Sequence, residues 1–346
     1  MASLQNALLR RGAAKTLFWM GQGFKSLGRN EVALACYDKS VRLAPELPRG
    51  HREAGRLRSL KFGTPELLRF VGLGTTGLCN ASCIHCPTGK DATASSPRGM
   101  MPMAMFCRVI DEIATARIPI TGHLAFGLFG DALVDPLVVA RASYARAKLP
   151  YVRLLVNTNG AAYSDAQHAA LEPLISEIAL HCESLTPPIY DDLMRPLRAA
   201  RVFPKLEAML RTFGPKVSVS VPVSRRNQHE LKEIERWFGD RGAGRVTFDP
   251  LSSRCAEDRT LFDQLSIAPA RIRCPGTVLD DLVIDCDGRV LVCCQDFQRL
   301  EGVGELSRQS VPEVLGNKRR EAVRKMLDND QHDDMATCSR CYSDCR

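Results

Sequence analysis

No apolar run in this chain of 346 residues reaches the roughly 18–20 residues that a membrane-spanning helix needs, so no membrane segment is expected. The opening stretch MASLQNALLRRGAAKTLFWM has arginines in its middle and no clean apolar core ahead of a cleavage site. A secretory signal is therefore not expected. The first 62 residues are short of acid. Of 47 Lys/Arg and 39 Asp/Glu in the whole chain they hold 12 and 4, which leaves 35 of each sign for the rest. The net charge of +8 thus belongs to this N-terminal part. It reads either as a solvated basic helical face or as a docking surface for an acidic partner, carrier or nucleic acid.

Cysteine is not scarce. In a chain this long with no signal, 14 cysteines point to metal or redox chemistry in a reducing, cytoplasmic setting rather than to disulfides. They are clustered: three lie between Cys79 and Cys86, and eight from Cys255 onward. Hydrophobic content of 45% and charged content of 25% are ordinary for a globular protein, and the length suits two or three domains. The expected division is 1–62, 63–260 and 261–346.

Residues 14–47 read as a helix–turn–helix unit with Gly28 at the turn. Leu17, Met20, Gly21, Phe24, Ala33, Tyr37 and Pro45 fall where a tetratricopeptide repeat has its large, small and terminating residues, and the unit resembles one such repeat. A second, degraded unit over about 48–60, or the body of the protein, would have to cover its open face. Cys36 and Trp19 are expected to pack.

From Phe70 onward strand and helix signals alternate. Strands are expected at 70–74, 123–129, 152–156, 177–181, 217–223 and 245–249. Helices are expected at 103–116, 137–148, 165–175, 190–194, 203–212 and 230–238. Such alternation predicts a parallel α/β sheet of six strands, with ligand sites at the carboxyl ends of the strands.

The loop after the first strand carries Cys79-Asn-Ala-Ser-Cys83-Ile-His-Cys86. A [4Fe–4S] cluster takes four thiolates. A triplet lacks the fourth, leaving one iron open to a substrate or cosubstrate. A zinc site is the alternative, although zinc ligands usually come as Cys pairs separated by a longer loop. The C-x3-C-x2-C spacing, with His85 at the aromatic position, resembles the signature loop of the radical S-adenosylmethionine (SAM) enzymes. That resemblance implies a partial (β/α)6 barrel. It also implies that His85 packs near the SAM adenine, and that Gly130 and Asp131 stand in for a looser Gly-Gly-Glu-Pro motif receiving the SAM amino group. Asn157 and Asn159, in an Asn-Thr-Asn-Gly turn, would face the SAM ribose or the substrate. His181 ends the fourth strand at a ribose-contacting position. Ser218 and Ser220 share one face of the fifth strand, expected to be the barrel interior. Arg254 follows the sixth strand, where a cation can meet the SAM carboxylate or an anionic substrate. Strand-end turns are the plainer reading of Asp131 and of the Asn-Thr-Asn-Gly segment.

Further on, Cys274 precedes a hairpin read around Asp287-Gly288, Cys293 follows it, and a helix over 311–327 leads to Cys338-Ser-Arg-Cys341. These four cysteines converge in the manner of a closed four-thiolate cluster, with Cys345 as an alternative to Cys341 and zinc as an alternative to the cluster. The pattern resembles the twitch domain, a one-cluster version of the SPASM extension. The further cysteines of the full SPASM pattern are lacking, so a second auxiliary cluster is not expected. Cys294 is expected to face away from Cys293. Cys255, after the sixth strand, is a candidate hydrogen donor, since epimerases of this class use a thiol. Cys107, Cys182 and Cys286 are expected to be buried small hydrophobes.

The resemblance implies two [4Fe–4S] clusters and SAM. It also implies a reduced ferredoxin or flavodoxin as electron source, and a small polar or peptide substrate. The expected reaction is a two-electron dehydrogenation of a sugar, cyclitol or peptide carbon. Epimerisation through a cysteine thiol and ribosomal-peptide maturation are alternatives. A non-enzymatic Fe–S carrier or scaffold has no use for an open iron.

Overall fold

Val-, Leu- and Phe-rich runs become strands and the amphipathic stretches between them become helices, as their periodicities require. In the computed structural model, which describes residues 2–44, 47–62 and 67–344, three helices lead: α1 (Ala2–Ser26), α2 (Asn30–Leu43) and α3 (Pro48–Phe62). Then follow β1 (Phe70–Leu73), α4 (Met103–Ala116), β2 (His123–Phe126), α5 (Val138–Lys148), β3 (Arg153–Thr158), α6 (Asp165–His168), β4 (Glu177–His181), α7 (Pro187–Leu193), α8 (Ala199–Phe213), β5 (Val217–Val223), α9 (Leu231–Asp240) and β6 (Arg245–Pro250). The C-terminal part adds α10 (Thr260–Leu265), β7 (Pro269–Arg271), β8 (Asp281–Ile284), β9 (Arg289–Leu291), β10 (Gly302–Glu305), α11 (Val311–Leu315), α12 (Lys318–Asp328) and β11 (Tyr342–Asp344). Among the described residues no helix is long and apolar enough to cross a membrane.

One nine-stranded sheet runs β10-β9-β8-β1-β2-β3-β4-β5-β6. From β1 to β6 every pair is parallel, so each helical crossover returns the chain to the same end of the sheet. This is the six-stranded parallel α/β arrangement expected from the pattern. The sheet also runs across residue 260: β8 pairs parallel with β1, from Phe70 opposite Asp281 to Leu73 opposite Ile284, and β9 and β10 continue antiparallel. β7 and β11 form a separate two-stranded ribbon. Val71, Leu124, Val156, Ile178 and Val219 are fully buried in the core beneath the helices.

Two helices differ from expectation. The stretch 311–327 is not one helix, because Gly316 ends α11 and the Asn317 side chain accepts from the Arg320 N–H at 2.8 Å, starting α12 afresh. The helix expected over 165–175 shortens to α6 and a single 3₁₀ turn. At the N-terminus the helix, turn and helix are present, with Tyr37 seated on Gly21. A β-carbon there would lie 2.5 Å from the ring. Pro45 lies outside the described residues. The N-terminal helices dock on the barrel, α2 through Asp38 to Arg117 at 3.0 Å and α3 through His51 against Tyr151.

Behind the strand ends, Arg141 donates from Nε to Asp135 at 2.7 Å and also to the Met101 carbonyl. Both charged side chains are fully buried. The pair ties the loop after β2 to the chain entering α4. Asp135→Ala leaves a buried, unpaired guanidinium and is expected to cost about 3–5 kcal/mol of stability, read from the urea midpoint. Replacing both residues with Leu and Met costs less.

Candidate active site and the two cysteine groups

The carboxyl ends of the strands surround a cavity of about 360 Å³. Its floor is the loop after β1, with Cys79, Cys83, His85 and Cys86 on the lining. That loop is built against its neighbours. Ile84 N–H donates to the Leu193 carbonyl at 2.9 Å, Cys86 N–H to the Cys83 carbonyl at 3.0 Å, and Lys90 Nζ to the Cys83 carbonyl at 2.8 Å. Gly130 makes the approach of loop to β2 end feasible, since a β-carbon would sit 2.3 Å from the Leu78 carbonyl oxygen. Burial, with Asp131 and Cys86 nearby, pushes the Cys79 thiol up to about 12. Cys83 is raised by burial and by Glu183, Cys86 and Cys79. The three thiols therefore feel one another across one small space.

Of the other residues singled out from sequence, His85, Gly130, Asp131, Asn157, Asn159, His181 and Arg254 all reach this cavity. Asp131 is already heavily engaged. Its carboxylate accepts from the Leu133 N–H (2.9 Å), the Asn159 N–H (2.7 Å) and the Thr158 hydroxyl (2.9 Å), which braces the ends of β2 and β3 together. Asn159 donates to the Asn80 side chain at 2.8 Å, linking this turn to the cysteine loop. Gly160 follows at φ +77°, in the left-handed region a turn needs. Asn157 donates to the Gly127 carbonyl at 2.7 Å. His85 Nδ1 lies 3.3 Å from the Glu183 carboxylate, both nearly buried. Desolvation, helped by Arg254, pushes His181 down to about 4.

Three expectations are corrected. Ser218 and Ser220 do not reach the cavity. They sit lower on β5, where Ser218 accepts from Arg245 at 2.7 Å and Ser220 donates to Asp249; only Pro222, later on the same face, lines it. Arg245 in turn meets Glu177, which also pairs with His123 and Arg153. The amino end of the barrel is thus plugged by charge. Cys255 does not line the cavity either: it is 2% exposed and its thiol lies beside that of Cys341. The non-loop thiol on the cavity wall is Cys294, beside Gln295 and Phe297. Cys294 follows Cys293 in the turn after β9, and the pairing of β8 with β1 is what brings this segment to the cavity.

Cys274, Cys293, Cys338 and Cys341 gather on the far side of that wall. β7 pairs with β11, Arg271 opposite Tyr342, which brings Cys274 and Cys341 together. Cys338 and Cys341 share one turn. His332 bonds the Cys274 carbonyl at 2.8 Å. Burial and the nearby Cys341 and Cys274 push Cys338 up to about 12, and Cys293 is raised by burial, Cys294 and Cys338. Cys345 lies outside the described residues. Among the described residues no three His, Cys, Asp or Glu side chains close on a single point as one zinc ion would require. The donors in both gatherings are thiols, the ligand type an iron–sulfur cubane takes. Cys182 and Cys286 are buried and Cys107 is half-buried.

Comparison with known proteins agrees with this layout. Residues 274–342 match the family model of the SPASM iron–sulfur cluster-binding domain. No curated protein matches the chain. Among solved structures, BtrN in complex with AdoMet and 2-DOIA is similar with a TM-score of 0.56 at 17% identity, over 80% of this chain and 93% of that one. SuiB of Streptococcus suis bound to precursor peptide SuiA gives 0.59 at 12%, over 88% and 78%. Native anSMEcpe with bound AdoMet gives 0.54 at 12%, over 78% and 88%. The likeness is one of fold, the fold of radical SAM enzymes.

Gly130→Ala is expected to push the cysteine loop off β2. It should cost about 1–3 kcal/mol of stability, read from the urea midpoint. His181 predicts a pH effect. Its ordinary value is 6.5 and its folded value about 4, so between these the unfolded chain holds the extra proton. Stability from this group rises with pH across that window and is lost as pH falls. Arg254, Glu183, Asp249 and His85 are the charged or titratable neighbours. In metal-free protein, His181→Asn should flatten the urea-stability slope between pH 4 and 6.5; an unchanged slope contradicts the assignment.

Proposed function

We propose that this chain, which has the radical SAM fold and carries a SPASM iron–sulfur domain, cleaves SAM reductively and oxidises a substrate carbon by two electrons. Cys79, Cys83 and Cys86 would hold the first cluster, and Cys274, Cys293, Cys338 and Cys341 the second. When bound, the first cluster with SAM supplies the radical that takes a hydrogen atom from an unactivated C–H bond, and the second takes up the electron left on the substrate. His85, Gly130, Asn157, Asn159, His181 and Arg254 would line the SAM and substrate space, with Asp131 bracing it. The substrate carbon would belong to a sugar, cyclitol or peptide, entering the cavity beside SAM. Three units divide the work: 1–62 as a basic docking hairpin resembling a tetratricopeptide unit and suited to an acidic partner, 63–260 as the barrel, and 261–346 as the auxiliary domain. A reduced ferredoxin or flavodoxin would supply electrons.

The observation that carries oxidation is the thinness of the wall. Residues adjacent in sequence serve opposite sides of it: Arg254 and Cys294 line the cavity, and Cys255 and Cys293 face the auxiliary thiols. An electron leaving the substrate has that short path. A second reading rests on Cys294 itself. A thiol in the cavity can return a hydrogen atom to a substrate radical, forming C–H and a thiyl radical, and the outcome is epimerisation.

Anaerobic reconstitution should give about eight irons, from two four-iron clusters. SAM with dithionite should yield 5′-deoxyadenosine, lost in Cys83→Ala; absence of cleavage in the wild type removes the proposal. With substrate in deuterated solvent, a product lighter by two hydrogens supports oxidation. Solvent deuterium in the product, abolished by Cys294→Ala, supports epimerisation instead.

A further inference from the structure

Cys255 lies ahead of the SPASM match, which begins at residue 274, and the barrel loop that carries it is zipped to the C-terminal strand. Ser252 bridges to Ser343. Ser253 N–H donates to the Tyr342 carbonyl at 2.9 Å, and its hydroxyl donates to the Arg340 carbonyl and accepts from the Tyr342 N–H, both at 3.0 Å. The loop is thereby pinned on both sides of Cys341. The next two residues, Arg254 and Cys255, take φ of +50° and +53°. Neither is glycine, so each left-handed residue is strained, and the flanking bonds must offset that strain. This strained pair sends Arg254 over the Phe297 ring, 4.7 Å away, and turns Cys255 inward against Cys341.

Five thiols therefore surround a site that takes four. A cubane takes one thiolate at each iron, so Cys255 and Cys341, brought side by side by the pairing of 252–253 with 340–343, would compete for one position. Resting on the two-cluster reading above, we propose that Cys255 and Cys341 share one ligand position of the auxiliary cluster, the barrel loop supplying the bond when Cys341 does not. Cys274, Cys293 and Cys338 hold the other three positions. Exchange is neutral in protons and electrons: the entering thiol gives up its proton as it binds, and the leaving thiolate takes one up.

The test is iron content of the anaerobically reconstituted full chain, in a Cys345→Ala background so that a third thiol cannot substitute. The SAM-induced change in the first cluster's EPR spectrum reports that each variant is folded. Cys255→Ala and Cys341→Ala should each retain about eight irons, and the double variant about four. The auxiliary EPR signal should differ between the two single variants, because the ligating loop differs. About four irons in either single variant assigns the position to one cysteine alone and overturns sharing, as does a double variant that keeps eight. A background that already falls to about four makes Cys345 the ligand and overturns it too. A wild type with about four fails at the earlier, two-cluster step. Should the alanine pair misfold, the Cys255→Ser, Cys341→Ser pair repeats the comparison.

Discussion

The parallel pairing of β8 with β1 decides how this molecule is organised. β1 ends in the three-cysteine loop. β8 leads through its hairpin to Cys293 and Cys294. Because the two strands run in the same direction, their carboxyl ends lie at the same end of the sheet. Gly74 N–H extends the pairing to the Ile284 carbonyl at 2.7 Å, and a β-carbon on Gly74 would already press on Asp285. β9 then turns back antiparallel to β8, Val290 opposite Ile284 and Leu291 opposite Val283, so Cys293 and Cys294 return along the flank of β8 toward Asp281. The C-terminal segment is therefore part of the same sheet as the barrel, and what it holds is placed by backbone hydrogen bonds rather than by a flexible linker.

That placement makes the wall between the two thiol groups only one residue thick. Cys293 and Cys294 lie past the end of β9, where the chain enters a turn, and they divide between the two sides there. The Arg254–Cys255 pair achieves the same division at the sixth strand by a different route, through two successive left-handed residues. One wall element uses a turn and the other uses strain. Strained non-glycine backbone persists where surrounding contacts over-determine it, and the Ser252–Ser253 pairing with 340–343 does so here.

Much of this could be read from the residues. Strand and helix positions followed from periodicity, and helix 103–116 and strands 177–181 and 217–223 have the expected bounds. Strand ends drew the polar residues together because parallel crossovers always return them to one edge. Parity told that Ser218 and Ser220 share a face but not how far along the strand the cavity extends. That depends on Arg245, Glu177, His123 and Arg153 filling the amino end, a grouping that four separate strands contribute. Cys255 was misplaced for a related reason. Its distance from the sixth strand suggested the cavity, but two positive φ angles at non-glycine residues reverse the side chain, and nothing local in Ser-Ser-Arg-Cys announces them. The sheet position of β8 was equally hidden, since the pairing joins residues some two hundred positions apart.

The wall also needs support from behind. Phe129 and Phe297 meet edge to face with centroids 5.1 Å apart. Arg299 lies 4.1 Å over Phe129, donates to Asp285 at 2.8 Å and bonds the Phe297 carbonyl. Asp285 and Arg299 are almost wholly buried. A buried ion pair is weak evidence for stability, because desolvation offsets most of its attraction. Its directionality is what an apolar substitute lacks. The guanidinium fixes one carbonyl, one carboxylate and one ring face at once, and so sets the path of residues 294–299. Cys294 and Phe297, which line the cavity, lie on the path that the pair sets.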